Sequence, residues 1–426
     1  AVLDPATVPG GYTFERFREE LAARLHLLPP FRKRLVDVPL GVHDPMWLED
    51  ADFDIDRHIR RERALKPGGS REMDQIISSI ASTPLARDRP LWETTVIEDL
   101  ADGRIGFVTK VHHAVADGVA AAELLANVTS ADPGDETGPV PDSDAVASGW
   151  EGEPMPGRLA LFTVGLRERL RQILAFPALL WRTFRNLFAV ARRRRAPGVN
   201  PPRPVIDAPV TPFNRSLTPA RSFATVSLDL DRLRAVKAQA GVTLNDVLLA
   251  SVTGALRSYL AERDQLPDSP LVAGVPVSTD RPDDVRRLGG NKVSNMFTGL
   301  PVEEPDPGRR LRRISEVTDE AKVVQNLLGA DMLADWSDFT GRPYGWVMRQ
   351  YSRSRVADRG RPMINLVVSN VPGPREHLYV AGARIEDIFS VGPIVESVGL
   401  NITAWSYAGQ RVVEAVGEVV QVPDVV

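Results

Sequence analysis

The segment 104–125, RIGFVTKVHHAVADGVAAAELL, joins two adjacent histidines to a strand pattern on one side and a helix pattern on the other. The run before the histidines is rich in β-branched and apolar residues, which predicts a strand. The Ala- and Leu-rich run after them predicts a helix. His112 and His113 therefore lie at a strand-to-helix turn, and Asp117 with Gly118 closes that turn.

The histidine pair allows more than one chemistry. Side chains of neighbouring residues on extended backbone point to opposite sides, so one ring can face a cavity while the other packs inward. A neutral imidazole with a pKa near 6.5 suits removal of a proton from an alcohol or amine, which contributes about 10²–10⁴-fold in rate. Asp117 can be buried in a salt bridge that holds the loop. A structural pair remains an alternative, as does a metal site formed by His112, His113 and Asp117, although diverging side chains and the lack of an HExxH motif weigh against metal.

Composition excludes several other classes of function. The chain has 426 residues and a net charge of −4, so nothing in its charge points to a nucleic-acid partner. It contains no cysteine, which removes disulfides and a cysteine nucleophile together. No G-x-S-x-G elbow, P-loop or G-x-G-x-x-G motif occurs, so neither a serine hydrolase nor a nucleotide-binding site is supported. No apolar run approaches the roughly 20 residues that span a bilayer, and no secretion signal opens the chain.

The pattern of predicted elements divides the chain into three parts. Residues 1–129 form an N-terminal domain that contains the histidine pair, and residues 213–426 form a C-terminal domain. Residues 130–212 connect them, beginning with a Pro-, Gly-, Ser- and acid-rich segment that predicts a flexible linker. Each half alternates strands with helices, which predicts an α/β (α+β) fold around mixed or mostly antiparallel sheets. The predicted helices cover 13–27, 73–82, 118–128, 158–195, 243–260 and 308–328, and the predicted strands 31–38, 92–98, 104–112, 222–230, 270–278, 292–300, 365–369, 400–406 and 411–420.

The connecting part also contains an unusual helix at 158–195. Leucine, phenylalanine and tryptophan alternate with arginines, acidic residues are nearly absent, and four consecutive arginines end the run. A basic helix with large apolar side chains on its other face is typical of peptides that lie in a membrane interface. A helix packed on its own domain, with its arginines in solvent, is the alternative. We expect a cytoplasmic protein that contacts a membrane or lipid inclusion peripherally through this helix.

The stretch HHAVADG (112–118) resembles the HHxxxDG motif of the CoA-dependent acyltransferase superfamily, which includes chloramphenicol acetyltransferase-like folds and peptide-synthetase condensation domains. From about residue 13 onward the chain is similar to the bacterial wax ester synthase/diacylglycerol acyltransferase family. The segments that follow the family's order are PLWE (90–93), NDV (245–247), VPVS (275–278), GNKVS (290–294), SNVPGP (369–374), NI (401–402) and SYAG (406–409).

This resemblance implies two chloramphenicol-acetyltransferase-like domains with a substrate tunnel between them. It implies that His113 is the catalytic base and that Asn245 lies in the active site near the developing oxyanion. Asp246, at the same helix start, is interpreted as a cap or a structural contact. The residues implied to support the site are His112, Asp117, Gly118 and Asn245, and those implied to line the tunnel are Pro90, Leu91, Trp92, Ser294 and Asn370. The family places an arginine two residues after the serine of VPVS, whereas this chain has Arg281 one position later, so the cation that pairs with Asp117 is left open. The family's first strand is expected before residue 1.

The activity that the resemblance implies is transfer of a long-chain acyl group from acyl-CoA to diacylglycerol, with fatty alcohol as a second acceptor. Acyl-CoA is a substrate in this reaction, and neither a cofactor nor a metal is expected. Two alternatives differ in class. One is a condensation-type acyltransferase that uses a carrier-protein thioester, and the other is a non-catalytic protein of lipid-droplet surfaces that retains the fold.

Overall fold

The computed structural model describes residues 1–133, 154–198, 201–203, 206–279, 287–329, 332–408 and 410–418. Within these ranges a seven-stranded sheet, a six-stranded sheet and a two-stranded sheet are surrounded by helices. Both larger sheets combine parallel and antiparallel neighbours. The predicted α/β class with mixed sheets is therefore confirmed.

The first sheet has the strand order β4-β5-β6-β1-β13-β12-β7. Only the β4–β5 pairing is parallel in this sheet. Its strands are β1 (Val2–Asp4), β4 (Ile59–Arg63), β5 (Trp92–Glu98), β6 (Ile105–Val111), β7 (Thr129–Ser130), β12 (Tyr379–Val380) and β13 (Ala383–Asp387). A separate antiparallel pair, β2 (Lys33–Val36) and β3 (Met46–Glu49), lies outside both larger sheets.

The second sheet has the order β10-β9-β11-β14-β15-β8. Strand β11 runs parallel to both of its neighbours, and the other pairs are antiparallel. The strands are β8 (Arg221–Asp229), β9 (Leu271–Ser278), β10 (Val293–Leu300), β11 (Leu366–Val371), β14 (Leu400–Tyr407) and β15 (Gln410–Glu418).

The helices begin where the sequence supplies caps. Thr13 accepts a hydrogen bond from the backbone of Arg16, and Thr243 forms a capping box with Asp246. The helices are α1 (Phe14–Arg24), α2 (Ser70–Ser82), α3 (Gly118–Val128), α4 (Arg158–Arg194), α5 (Leu230–Ala240), α6 (Leu244–Ala261), α7 (Pro307–Leu328) and α8 (Met332–Ser354). Helix α6 buries a long apolar face in the core of the second half, where it packs with strands β9, β10 and β11.

The predicted boundary after residue 212 falls between elements, whereas the one after residue 129 divides the two-residue strand β7, and the chain also crosses from one half to the other. Strands β12 and β13, which belong to the predicted C-terminal domain 213–426, pair with β7 and β1 in the first sheet. The first half is therefore not built from one continuous stretch of sequence. The predicted linker lies mostly outside the described residues, which resume at residue 154.

Most predicted elements occur in the structure with shifts of a few residues at their ends, and several others had no sequence signal. Residues Val2–Asp4 form a central strand of the first sheet, where none was predicted. Helix α8 was also missed, because Gly341, with φ of 45°, and Pro343 interrupt its pattern. Strand β4, IRRER, is mostly exposed and charged, so it lacks the apolar alternation of a strand.

Candidate functional site

The histidine loop is held at both ends by backbone hydrogen bonds. The N–H of His112 donates to the carbonyl of Leu91 at 3.0 Å, which extends the β5–β6 pairing by one residue. The N–H of Val115 then donates to the carbonyl of His112 at 2.8 Å, closing a turn. The loop therefore leaves β6 in a fixed direction and enters α3 after Asp117, the N-cap of that helix.

Asp117 holds the loop from inside the protein. Its side chain is fully buried, and Oδ1 accepts hydrogen bonds from the N–H groups of Val119 at 3.1 Å and Ala120 at 3.0 Å. Oδ2 accepts from the guanidinium of Arg287 at 2.5 Å and from the N–H of Lys292 at 2.7 Å. The open question about the cation is thus answered by Arg287, whereas Arg281 lies outside the described residues. The predicted role of Asp117 in shaping the loop agrees with these contacts.

A segment of the second half lies directly against the loop. The N–H of Gly290 donates to the carbonyl of Val115 at 2.7 Å, and the N–H of Asp117 donates to the carbonyl of Gly290 at 3.2 Å. A Cβ at Gly289 would lie 2.9 Å from Pro30 and 3.1 Å from the Val115 oxygen, so only glycine allows this approach. Residues 289–290, at the start of the GNKVS stretch, therefore pack directly against the histidine loop.

The two histidines differ in their contacts. His112 is exposed, and its Nδ1 accepts a hydrogen bond from the N–H of Ala114 at 3.1 Å, so its ring folds back over its own loop. Desolvation by surrounding atoms lowers the pKa of His112, and the charges of Arg87 and His113 lower that pKa further. His113 is half-buried, and neither ring nitrogen has a hydrogen-bond partner in the described ranges. Neither ring is fully buried, because β6 ends at Val111 and both histidines belong to the turn.

Asn245 lies at the start of α6, next to the end of β11. The side-chain amide of Asn370 donates to Oδ1 of Asn245 at 3.4 Å. Val371 follows directly, and a Cβ at Gly118 would lie 3.8 Å from its Cγ2. The start of α3 and the end of β11 therefore meet, so residues from both halves converge beside the histidine loop.

Asp246 is a structural residue. It is buried, caps α6 through Thr243, and accepts a hydrogen bond from Thr318 at 2.7 Å. Ser294 is also buried, on β10 opposite Val277 of β9. The predicted structural role of Asp246 agrees with these contacts, whereas the tunnel role of Ser294 stays a prediction.

The segment Pro90–Trp92 supports the histidine loop from below. Leu91 and Trp92 are buried in a core cluster that also contains Val115 and Ala116 of the loop. The Trp92 ring stacks on Phe31 and on buried His58, and its Nε1–H donates to the carbonyl of Phe31 at 2.8 Å. Burial lowers the pKa of His58, so a neutral imidazole lies in this stack. A role of Pro90, Leu91 and Trp92 in lining a tunnel stays a prediction.

Several residues of the site escaped the sequence analysis. Arg287 is separated from Asp117 by 170 positions, and only the neighbouring GNKVS stretch marked its region. Arg87 precedes PLWE closely but has no pattern of its own. Over the described ranges, no group of three or more histidine, aspartate or glutamate side chains is positioned to hold a metal ion. The metal alternative for His112, His113 and Asp117 therefore finds no geometric support there.

Comparison with known proteins gives matches over nearly the whole chain. A family model described as the wax ester synthase/diacylglycerol acyltransferase catalytic domain matches residues 1–248, and one described as the WS/DGAT C-terminal domain matches residues 289–426. A putative diacylglycerol O-acyltransferase of Mycobacterium tuberculosis is 40% identical over 399 residues, covering 93% of this chain and 81% of the relative. A second such protein of that organism is 39% identical over 419 residues, covering 96% and 79%.

Solved structures agree with these matches. The wax ester synthase/diacylglycerol acyltransferase from Marinobacter aquaeolei VT8 superposes with a TM-score of 0.64 at 28% identity, covering 99% of this chain and 88% of the other. The first condensation domain of the calcium-dependent antibiotic synthetase gives a TM-score of 0.54 at 14% identity, covering 98% and 85%. The second likeness extends to the fold alone.

Proposed function

Because this chain belongs to the wax ester synthase/diacylglycerol acyltransferase family, we propose that it transfers a long-chain acyl group from acyl-CoA to diacylglycerol. A fatty alcohol is the second acceptor in this proposal. Two observations support it together. The matched models span both halves, and the histidine loop of the first half is locked to the second half through Asp117 and Gly290.

In the proposed reaction His113 is the general base. Its ring nitrogens have no partner in the described ranges, so one of them is free to accept the proton of the acceptor hydroxyl. The hydroxyl oxygen attacks the thioester carbonyl, the C–S bond breaks, and the proton passes to the departing CoA sulfur. No acyl-enzyme forms, which agrees with the absence of cysteine and of a serine elbow from the sequence. His112 holds the loop through Ala114, and its lowered pKa keeps it uncharged beside His113.

Asn245 supplies the hydrogen bond to the developing oxyanion in this mechanism. Its Oδ1 already accepts from Asn370, which orients the amide so that its NH₂ group remains available as a donor. A donor that is fixed in advance stabilises the oxyanion without reorganisation during the reaction.

Replacement of His113 tests the mechanism. We expect His113→Ala to lower acyl transfer by about 10²–10⁴-fold, measured as CoA release from palmitoyl-CoA with dipalmitoylglycerol. His112→Ala, which removes only the bond to Ala114, should retain a larger fraction of activity. The proposal fails if His113→Ala keeps more than a few per cent of activity while folding normally.

The acceptor is tested in the same assay with hexadecanol and dipalmitoylglycerol offered in parallel. We propose that acyl-CoA is the acyl donor and that no cofactor or metal takes part. EDTA should therefore leave the rate of CoA release unchanged. Replacing acyl-CoA with an acylated carrier protein should abolish product. A rate that is higher with the carrier protein would favour the condensation-type alternative.

We also propose that helix α4 binds the enzyme peripherally to the surface of a membrane or lipid inclusion. Leu161, Leu179 and Val190 are buried against the body of the protein. On another face the helix exposes an apolar stripe, which recurs every three, four or seven residues: Leu159, Leu166, Leu170, Ile173, Leu174, Pro177, Trp181, Phe184 and Phe188. Leu174 is 81% exposed and Trp181 72%. A contiguous exposed surface of large apolar side chains usually marks an interaction site.

The arginines of α4 and its ion pairs to neighbouring helices favour a helix that lies on the lipid surface over one that crosses the bilayer. Among the described helices, Arg158–Arg194 is the one long and apolar enough to cross a bilayer. However, its Arg182 pairs with Asp335, and Arg193 pairs with Glu320 at 2.6 Å, which ties the helix lengthwise to α7 and α8. Arg167 and Arg185, near the stripe, form no ion pair in the described ranges, so they can bind anionic lipid head groups.

Flotation with vesicles tests this surface. We expect the protein to float with phosphatidylcholine vesicles that contain phosphatidylglycerol, and Trp181→Ser with Phe184→Ser to lose most of this binding. The matched control is Leu40→Ser with Leu65→Ser, two exposed leucines outside the helix. Equal flotation of the helix variant and the wild type would exclude α4 as the lipid contact.

A further inference from the structure

A cavity of about 540 Å³ opens between the β2 strand, the loop before β5 and the start of α4. Its wall contains three arginines, Arg34, Arg87 and Arg158, and apolar groups such as Leu161. The arginines come from three separate parts of the chain, so the fold itself brings their positive charges together. The roles proposed above for His113, His112 and Asn245 do not involve this cavity.

The three arginines are available to a ligand in different ways. Arg34 is held in place by the buried carboxylate of Asp50, with Nε 3.5 Å from Oδ1. Its Nε is buried and makes no hydrogen bond, so this contact orients the guanidinium by charge. Arg87 and Arg158 have neither a hydrogen bond nor an ion pair to any residue in the described ranges. Guanidinium groups without such partners can bind phosphate, because their paired N–H groups match two phosphate oxygens.

The carboxylates of the cavity do not cancel this charge. Asp88 is bound by Arg57 at 2.8 Å and by Arg89 at 3.1 Å, and these hydrogen bonds lower its pKa. Asp37 also has a partner. The first turn of α4 contains no acidic residue, and Gly157 at its N-cap provides no side-chain cap, so the positive end of the helix adds to the potential. The net field of the cavity therefore favours an anion.

The cavity lies next to the histidine loop. Leu35 in its wall packs against the core cluster that contains Val115 and Ala116 of the loop. Arg87 is close enough to His112 for its charge to lower the pKa of that ring. Arg87 therefore connects the wall of this cavity with the surroundings of His112.

We propose that this cavity binds the phosphate groups of the acyl-CoA donor, through Arg34, Arg87 and Arg158. That the ligand is acyl-CoA rests on the proposed function. That the ligand carries phosphate groups rests on the arginines of the cavity itself. CoA carries its phosphates at the end of the molecule that lies far from the thioester. The arginines therefore act in donor binding and not in the chemical step.

Kinetics with donors that differ only in phosphate content test the proposal. In Arg87→Ala with Arg158→Ala we expect the KM for palmitoyl-CoA to rise about tenfold or more. The KM for palmitoyl-pantetheine, which has no phosphate, should stay at the wild-type value. The matched control is Arg232→Ala with Arg234→Ala, two exposed arginines of α5. An unchanged KM for palmitoyl-CoA, or an equal rise with both donors, overturns the proposal.

Equilibrium binding separates this inference from the proposed function. Titration with CoA alone needs no turnover, so weaker CoA binding by Arg87→Ala with Arg158→Ala supports the cavity even if acyl transfer to diacylglycerol is not found. A phospholipid head group offers the same phosphate chemistry, and flotation with phosphatidylglycerol vesicles distinguishes it. We expect the variant to float like the wild type. Reduced flotation with unchanged CoA binding would assign the cavity to lipid and contradict the donor site.

Discussion

Among single residues, Asp117 has the most concentrated set of contacts, although it does not face the substrate in the proposed mechanism. One oxygen caps α3 and the other binds Arg287 and the backbone of Lys292. A buried carboxylate with four donors is stable only while every donor remains in place. Because Asp117 binds both Arg287 and the start of α3, it fixes the histidine loop of the first half relative to the second half.

Substitution of Asp117 by asparagine keeps the shape and removes the charge. We expect Asp117→Asn to lower the free energy of unfolding by about 3–5 kcal/mol, because the Arg287 guanidinium loses the buried carboxylate that it binds. Activity should fall as well, since the loop is no longer fixed. Urea unfolding measures the first effect and CoA release the second.

The control for this substitution is Asp319→Asn. Asp319 pairs with Lys322 at 2.9 Å on an exposed helix surface, and loss of such a pair costs about 0–1 kcal/mol. Equal unfolding midpoints for the two variants would contradict the structural role of Asp117.

Among the elements, helix α2 closes the open edge of the second sheet. Ser78 and Ser82 accept hydrogen bonds from the N–H groups of Phe223 at 3.1 Å and Arg221 at 2.9 Å, both on edge strand β8. Alternate N–H groups of an edge strand point outward, and serines one helical turn apart meet two of them in succession. Asp74, one turn earlier, has a buried Oδ1 without a hydrogen-bond partner.

Asp74 makes the stability of the folded protein sensitive to pH. Desolvation raises the pKa of Asp74 to about 6, so the folded protein binds this proton more tightly than the unfolded chain does. The resulting stabilisation is complete below a pH of about 4 and is lost as the pH rises through about 6. We expect Asp74→Asn to raise the Tm by about 1–3 °C at pH 8 and by nothing measurable at pH 4. The control is exposed Asp52→Asn, and a gain that is equal at both pH values would contradict this cause.

The elements also show what sequence patterns can predict. Helices with a repeating apolar face, such as α1 and α6, and strands with alternating or buried apolar residues, such as β5 and β9, were located within a few residues. Strand β12 has two residues and β4 is charged, so neither has a pattern to detect. At the site, the motif identified His112, His113 and Asp117. The pairing of Arg287 with Asp117 could not be predicted from the sequence, because the two residues are 170 positions apart and only the tertiary fold brings them together.

In the whole molecule the two halves are joined at several separate places. The histidine loop pairs with Gly290, helix α2 covers β8, and β12 with β13 extends the first sheet. Helix α4 adds a lengthwise connection through its ion pairs to α7 and α8. A site that is assembled from both halves therefore rests on a junction with many points of attachment, which favours a fixed geometry over independent domain motion.

The crossing of β12 and β13 into the first sheet also sets an order on biosynthesis. Strand β1 lies between β6 and β13, so one edge of β1 has no partner until residues 383–387 have been made. During translation the N-terminal half emerges first, with that edge exposed and its hydrogen bonds unmade. Its sheet can be completed only after residues 383–387 have left the ribosome. The histidine loop thus belongs to a half that cannot finish folding before the other half exists.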